Sequence, residues 1–108
     1  MTNAADDVLA ERERQMSVEG WTEDHDDRHD KGEMGDAAAC YAATVRAFAG
    51  EQYVGRAYEP YMAYRDLWPW DDNWWKPKDR RRDLVRAGAL ILAEIERLDR
   101  AALRGKEK

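Results

Sequence analysis

KDRRRDLVRAGALILAEIERLDRAAL, residues 78–103, is the stretch that decides how the rest of the chain is arranged. Leu84, Gly88, Ile91, Ile95, Leu98 and Ala102 recur at alternating four- and three-residue intervals, and Val85 and Leu92 widen the row. That spacing predicts one continuous helix of roughly six turns with an apolar seam. Pro77 precedes it, and Arg97, Arg100 and Arg104 load its C-terminal end, where cations suit the helix dipole.

Working outward, Met34, Ala38, Tyr41, Val45 and Phe48 fall at i, i+4, i+7, i+11 and i+14, which predicts a second helix over 34–49 with Gly50 as its cap. The alanines of this helix, like Gly88 of the last, allow another helix to approach closely. A third helix is expected over 5–18, opened by Asp6 and Asp7 and carrying only a thin apolar stripe of Leu9 and Met16. Residues 21–33 are dense in Asp with Gly32 nearby and read as an acidic, turn-rich loop. Residues 50–77 hold Gly50, Gly55, Pro60, Pro69 and Pro77 together with four tyrosines and four tryptophans. Linkers avoid such residues, so this aromatic loop region must pack on something. The expected fold is mainly α: one compact domain, 1–108, of three main helices with a long, ordered, aromatic-rich connection between the second and third.

Composition bounds the function. Of the 108 residues, 38% are charged and the mean hydropathy is −0.93, but the apolar residues that exist fall at helical spacing. The single cysteine, Cys40, lies in an Ala-rich stretch and has no partner for an intrachain disulfide, so a small buried thiol in a reducing compartment is expected. No apolar run approaches a membrane span and the first residues are too charged for a secretory signal, so the expected location is cytoplasmic, without a membrane partner. The net charge of −5 is uneven: residues 1–36 carry twelve acidic and four basic side chains (−8), and residues 37–108 carry eleven and fourteen (+3). A pI near 5.0 argues against a nucleic-acid polymer as partner, though not against a small anion held by a local basic cluster.

Such a cluster follows the tryptophans. In WPWDDNWWKPKDRRRDLVR, residues 68–86, Trp68, Trp70, Trp74 and Trp75 run into Lys76, Lys78, Arg80, Arg81, Arg82 and Arg86. Indoles stack on bases and guanidinium groups fork onto phosphate, the pairing a nucleotide pocket needs. The alternative is structural, with indoles plugging the core and the cations paired to Asp79 and Asp83. Arg80, Arg81 and Arg82 also sit at a helix start, where positive charge is unfavourable and a bound anion would resolve the conflict. Upstream, Trp21 precedes His25, Asp26, Asp27, His29 and Asp30, a mixture that offers base-edge or ribose contacts from His25 and Asp26, a weak metal signal, or simply caps and ion pairs. The density of Asp and Gly argues against the helix that would bring His25 and His29 to one face. Glu33 and Asp36 have the spacing with which helical nucleotide pyrophosphohydrolases hold magnesium, and Glu94, Glu96 and Asp99 are further carboxylates; Glu96 and Arg100 are expected to pair on the surface. No Gly-rich phosphate loop, Ser–His–Asp set or zinc-finger spacing is present.

Two resemblances attach to these residues. ERERQ…EGWTEDHDD, GEMGDAAACYA and WWKPKDRRRDLVRAGALILAEIERLDRA together resemble a group of short proteins encoded in bacteriophage and prophage genomes, which implies the cytoplasm of an infected or lysogenic host and no particular activity. The order Gly20-Trp21, Asp27 to Lys31, Pro69-Trp70, Lys78-Asp79-Arg80 is similar to the ryanodine-receptor repeat domain, a mainly helical family whose resemblance implies recognition of nucleotide-type ligands. That pattern has a His-Pro pair after its lysine, absent after Lys31, and here an additional helix precedes Pro69.

The expected function is therefore a homo-oligomeric binding protein, without catalytic residues, metal or cofactor, that sequesters a nucleotide-derived signal such as a cyclic nucleotide or an ADP-ribose-like molecule. Its expected ligand residues are Trp21, His25, Asp26, Trp68, Trp70, Trp74, Trp75, Lys76, Lys78, Arg80 and Arg81. The alternatives are a magnesium-dependent nucleotide pyrophosphohydrolase and an inhibitor that binds a host protein through its aromatic segment.

Overall fold

A computed structural model of the chain describes residues 3–43 and 67–106, and among these all regular structure is helical. The helices are α1 (Ala4–Ser17), α2 (Glu23–Asp27), α3 (Glu33–Ala42) and α4 (Arg80–Lys106), with a single 3₁₀ turn at Asp72–Trp74 before α4. Three main helices thus form a mainly α globule, as the periodicity predicts. The expected positions Val45 and Phe48, and the connection up to residue 66, lie outside the described residues.

α3 and α4 make the core. Met34, Ala37, Ala38 and Tyr41 of α3 meet Ala87, Leu90 and Ala93 of α4, all nearly or fully buried. Facing alanines let the two helices lie close, and Cys40 is buried beside them, its thiol pushed up to about 12 by that burial and by the charge of Asp36. Trp21, Trp68, Trp70 and Trp75 pack over the end of this cluster.

The buried face of α4 differs from the seam read in the sequence. Leu84, Ile91, Ile95 and Leu98 stand 43%, 48%, 49% and 52% exposed, while Ala87, Leu90 and Ala93 face α3 and Val85 and Ala89 are buried too. The helix has apolar residues on more than one side, and the small ones take the core because α3 presents small ones to meet them. α1 shows the same inversion more sharply. Its thin apolar stripe is not what docks: Leu9 is 58% exposed, whereas Glu11, Arg12 and Gln15 are buried. α1 is held by charge. Glu11 accepts from Arg14 (2.7 and 2.9 Å), Gln15 (3.1 Å) and Arg82 of α4, Arg12 bonds Asp26 (2.8 Å) and Glu96 (3.0 Å), and Asp7 holds Arg81 (2.7 Å). Gly88 makes the approach possible, since a Cβ there would lie 3.1 Å from both Val8 methyl groups.

These pairs also settle the basic start of α4. Arg81 and Arg82 are neutralised by Asp7 and Glu11 of α1, and Arg80 donates to the Ala42 carbonyl (2.6 Å) at the C-terminal end of α3. The helix is capped in addition by Asp79, which accepts from Arg82 N (2.8 Å), and by Asp83, which accepts from Lys78 N (2.9 Å). The anion expected at this helix start is thus supplied by the chain itself. Likewise Glu96 and Arg100 do not pair with each other: Glu96 turns to Arg12, and Arg100 and Arg104 both bond Asp27.

Candidate functional site

The site begins where α1 ends. Gly20 takes a left-handed backbone (φ 77°), and Trp21 N–H returns to the Gln15 carbonyl at 2.9 Å. The turn delivers Trp21 to the aromatic segment and starts α2 at Thr22, whose side chain accepts from His25 N at 3.4 Å. Residues 23–27 are helical despite their aspartates. Glu23, Asp24 and Asp26 lie in the first turn, where negative charge favours a helix start, so the acidic density read as loop is part of what forms the helix.

α2 and the turn after it bring His25 and His29 together, with ring centroids 4.4 Å apart. His25 Nδ1 lies 3.0 Å from Asp26 Oδ1 and His29 Nδ1 lies 2.9 Å from the His25 carbonyl. A carboxylate and a carbonyl only accept, so each Nδ1 carries a proton, and in the neutral tautomer this leaves Nε2 as an acceptor. Asp26 is fixed in turn by Arg12, so a buried ion pair between α1 and α2 sets the His25 ring.

The aromatic segment folds over these rings in two groups. The inner group is structural. Tyr41 stacks on Trp75 (4.8 Å, 29°) and meets Trp68 edge-on (5.7 Å); its hydroxyl donates to the Trp74 carbonyl (3.4 Å) and accepts from Lys76 N (3.2 Å). Burial first of all raises the Tyr41 hydroxyl above its usual value. Trp68 also donates from Nε1 to the Asp71 carbonyl at 3.1 Å. The outer group borders a cavity. Trp70 packs between Trp21 (5.6 Å) and His29 (5.5 Å), Trp21 lies parallel to His25 at 5.8 Å with 5° between planes, and Trp74 stands 6.1 Å from Trp21. Together with Glu19 and Asp71 these rings line a cavity of about 340 Å³, within the range of small-molecule sites. A second cavity of about 230 Å³ shares Glu19, Trp21 and Trp74 and adds Glu11, Arg14, Gln15, Tyr41, Lys76 and Arg86. Lys76 Nζ rests over the Trp74 ring, 5.6 Å from its centroid.

Of the predicted ligand residues, the structure gathers Trp21, His25, Trp70 and Trp74 around the first cavity and Lys76 at the second. Asp26 stands behind His25, and Trp68 and Trp75 support the indoles from the core side. Arg80 and Arg81 are drawn into contacts with α3 and α1, and Lys78 contributes its backbone to the cap of α4. Sequence reasoning missed Glu19, His29 and Asp71 as wall residues, along with Arg14; Arg86 belongs to the basic cluster read after the tryptophans. For His29 the signal is its i+4 spacing from His25; for Arg14 no local pattern marks it.

The carboxylates read as magnesium ligands are dispersed: Glu33 accepts from Lys31 N (2.6 Å), Glu94 from Arg97 (2.5 Å) and Glu96 from Arg12. Among the described residues no three His, Cys, Asp or Glu side chains converge to hold a metal, and no helix is long and apolar enough to cross a membrane. Comparison with protein-family models, with curated proteins and with solved structures finds no match.

Proposed function

We propose that this is a small binding protein that sequesters a nucleotide-derived ligand, of the cyclic-nucleotide or ADP-ribose type, in the manner of a phage protein that removes a host immune signal. The observation that supports the reading is the ring-lined cavity of Trp21, His25, His29, Trp70 and Trp74. Its indoles offer stacking faces, while the imidazole Nε2 atoms and the carboxylates of Glu19 and Asp71 are acceptors. A base that brings N–H donors, adenine or guanine, complements that lining. The phosphate goes to the neighbouring cavity, to Lys76; Arg14 there is paired with Glu11 and Glu19, and Arg86 donates to the Lys76 carbonyl. Arg80 and Arg81 have no part in this version of the site, because both are spent on holding α3 and α1.

The test is calorimetric titration with a panel of cyclic and linear purine nucleotides, with mass analysis of the recovered ligand. Trp74 is 41% exposed, so Trp74→Ala leaves the fold intact and removes one stacking face. Loss of one such face, about 1–3 kcal/mol, corresponds to roughly 5- to 150-fold weaker binding. Lys76→Ala weakens phosphorylated ligands and leaves the free nucleoside unaffected. Failure of every nucleotide to bind overturns the reading, and recovery of a cleaved ligand replaces a sequestering protein with a hydrolase.

A further inference from the structure

The ring-lined cavity has a charge that a neutral adenine or guanine leaves uncompensated. Among the described residues its lining is three indoles, two imidazoles and the carboxylates of Glu19 and Asp71, with no lysine or arginine. Glu19 is held by Arg14 at 3.0 Å. Asp71 Oδ1 accepts from Asn73 N at 2.9 Å, and among the described residues no cation pairs with that carboxylate. The indoles add to the negative charge, because the face of an aromatic ring is the negative side of its quadrupole. The chain itself shows the attraction, since Lys76 Nζ lies 5.6 Å from the centroid of the Trp74 ring.

The angles between the rings point the same way. Trp21 is tilted 53° against Trp70 and 51° against Trp74. A neutral base gains most from parallel faces, whereas a cation is held wherever a ring face lies within about 6 Å of it. We infer, on the proposed function above, that the base received by this cavity carries a fixed positive charge: an N-alkylated heteroaromatic ring that also bears N–H donors.

Two sources share this chemistry. Guanine methylated at its imidazole nitrogen is cationic and keeps the N–H donors of its other edge. The pyridinium of an oxidised nicotinamide nucleotide is cationic and brings the N–H donors of its carboxamide. In both, ribose joins the positive ring to the phosphate, so the ring lies toward Glu19 and Asp71 and the phosphate toward Lys76. A neutral base of the same size covers the Asp71 carboxylate without compensating its charge.

Calorimetric titration of the full-length protein with two matched pairs tests this: 7-methylguanosine monophosphate against guanosine monophosphate, and nicotinamide mononucleotide against its reduced form. Within each pair the size is nearly constant and the ring charge changes by one. The charged member of at least one pair is expected to bind roughly 5- to 30-fold more tightly, the equivalent of a cation–π contact of about 1–2 kcal/mol, and the pair that shows it identifies the source. Asp71→Asn keeps an acceptor for the Asn73 N–H at the start of the 3₁₀ turn and removes the charge. It is expected to shrink the ratio between charged and neutral members, which a merely structural role would move alike. Equal or tighter binding of the neutral member in both pairs overturns the inference and leaves the nucleotide reading standing. Binding of a cyclic or ADP-ribose-type ligand with none of these four does the same. A charge preference that Asp71→Asn leaves unchanged overturns the assignment to this cavity, and failure of every nucleotide overturns both readings.

Discussion

Replacing Asp26 by alanine is expected to be among the most damaging single changes available in this protein, although Asp26 lies in a five-residue helix near the surface of the sequence's most polar stretch. The carboxylate is 1% exposed and its partner Arg12 is 6% exposed, at 2.8 Å. Removing one member of such a pair leaves a charge in the interior, at a cost of about 3–5 kcal/mol. The lower end applies here, because Arg12 keeps Glu96 at 3.0 Å, and Glu96 is itself half exposed. A loss of about 3 kcal/mol is a fifth to a half of the whole stability of a chain this size and lowers Tm by roughly 12–24 °C. Urea titration followed by circular dichroism measures it directly, with an unchanged m-value as the sign that the folded and unfolded states are otherwise the same. The double variant behaves differently. Arg12→Met/Asp26→Leu removes both charges and returns to within about 1–2 kcal/mol of the wild type, since a buried pair stabilises little against an apolar replacement. A single-variant loss below about 1 kcal/mol, or a double variant no better than the single, would refute the account of α1 as a helix docked through buried charge.

Three further outcomes follow from the same interior. Burial works to raise the Glu11 carboxyl, but its bonds and charge contacts with Arg14 and Arg82 outweigh this and hold it below 4.5; Arg100 and Arg104 likewise hold Asp27 below 3.8. The folded state then binds fewer protons than the unfolded one, so stability conferred by these pairs is complete above the ordinary carboxylate values and is lost as pH falls below them through the lowered folded-state values; Tm against pH should be shallower in this acid range for Glu11→Gln, and an unchanged slope counts against the pairing. Cys40, fully buried with its thiol raised to about 12, should react with an aromatic disulfide reagent only at the rate of opening, so rapid labelling of the native protein would refute its burial. Leu90→Ala should cost about 3–5 kcal/mol by urea titration, in the upper part of the range for such changes, because the alanines around it are too small to fill the cavity; a loss below 2 kcal/mol would show that the core collapses.

How far the sequence carried the reading depends on the kind of information each element uses. α3 was legible because Met34, Ala38 and Tyr41 are both periodic and buried, so the pattern and the packing agree. α4 was legible as a helix but not in its orientation. Its largest residues point away from α3, and which face is buried was decided by Ala37 and Ala38 on a distant helix, information no window of α4 contains. α1 went further in the same direction, since its docking surface is a set of charges whose partners lie at positions 26, 82 and 96. The rings of the site were legible as residue types, because four indoles in eight positions have few uses. Their division into supports and walls was not, since it depends on Tyr41 claiming Trp68 and Trp75 and on α2 forming where the aspartates were read as loop.

The fate of the basic cluster carries the argument about ligand class. Lys and Arg following tryptophan invited the reading of one composite pocket, with cations and indoles meeting the same molecule. Arg81, Arg82 and Arg80 instead clasp α1 and α3 to the start of α4, and Arg100 and Arg104 clasp α2 to its end through Asp27. What remains around the rings, besides the indoles, is two imidazoles and the carboxylates of Glu19 and Asp71, whose negative charge opposes a bound phosphate. On the other side of Trp21 and Trp74 lie Lys76, Arg14, which is paired with Glu11 and Glu19, and Arg86, which donates to the Lys76 carbonyl. The proposed function therefore places base and phosphate in separate cavities, which share the Trp21 and Trp74 walls. On the proposed function, that division asks for a ligand long enough to reach both cavities, with N–H donors at one end and negative charge at the other.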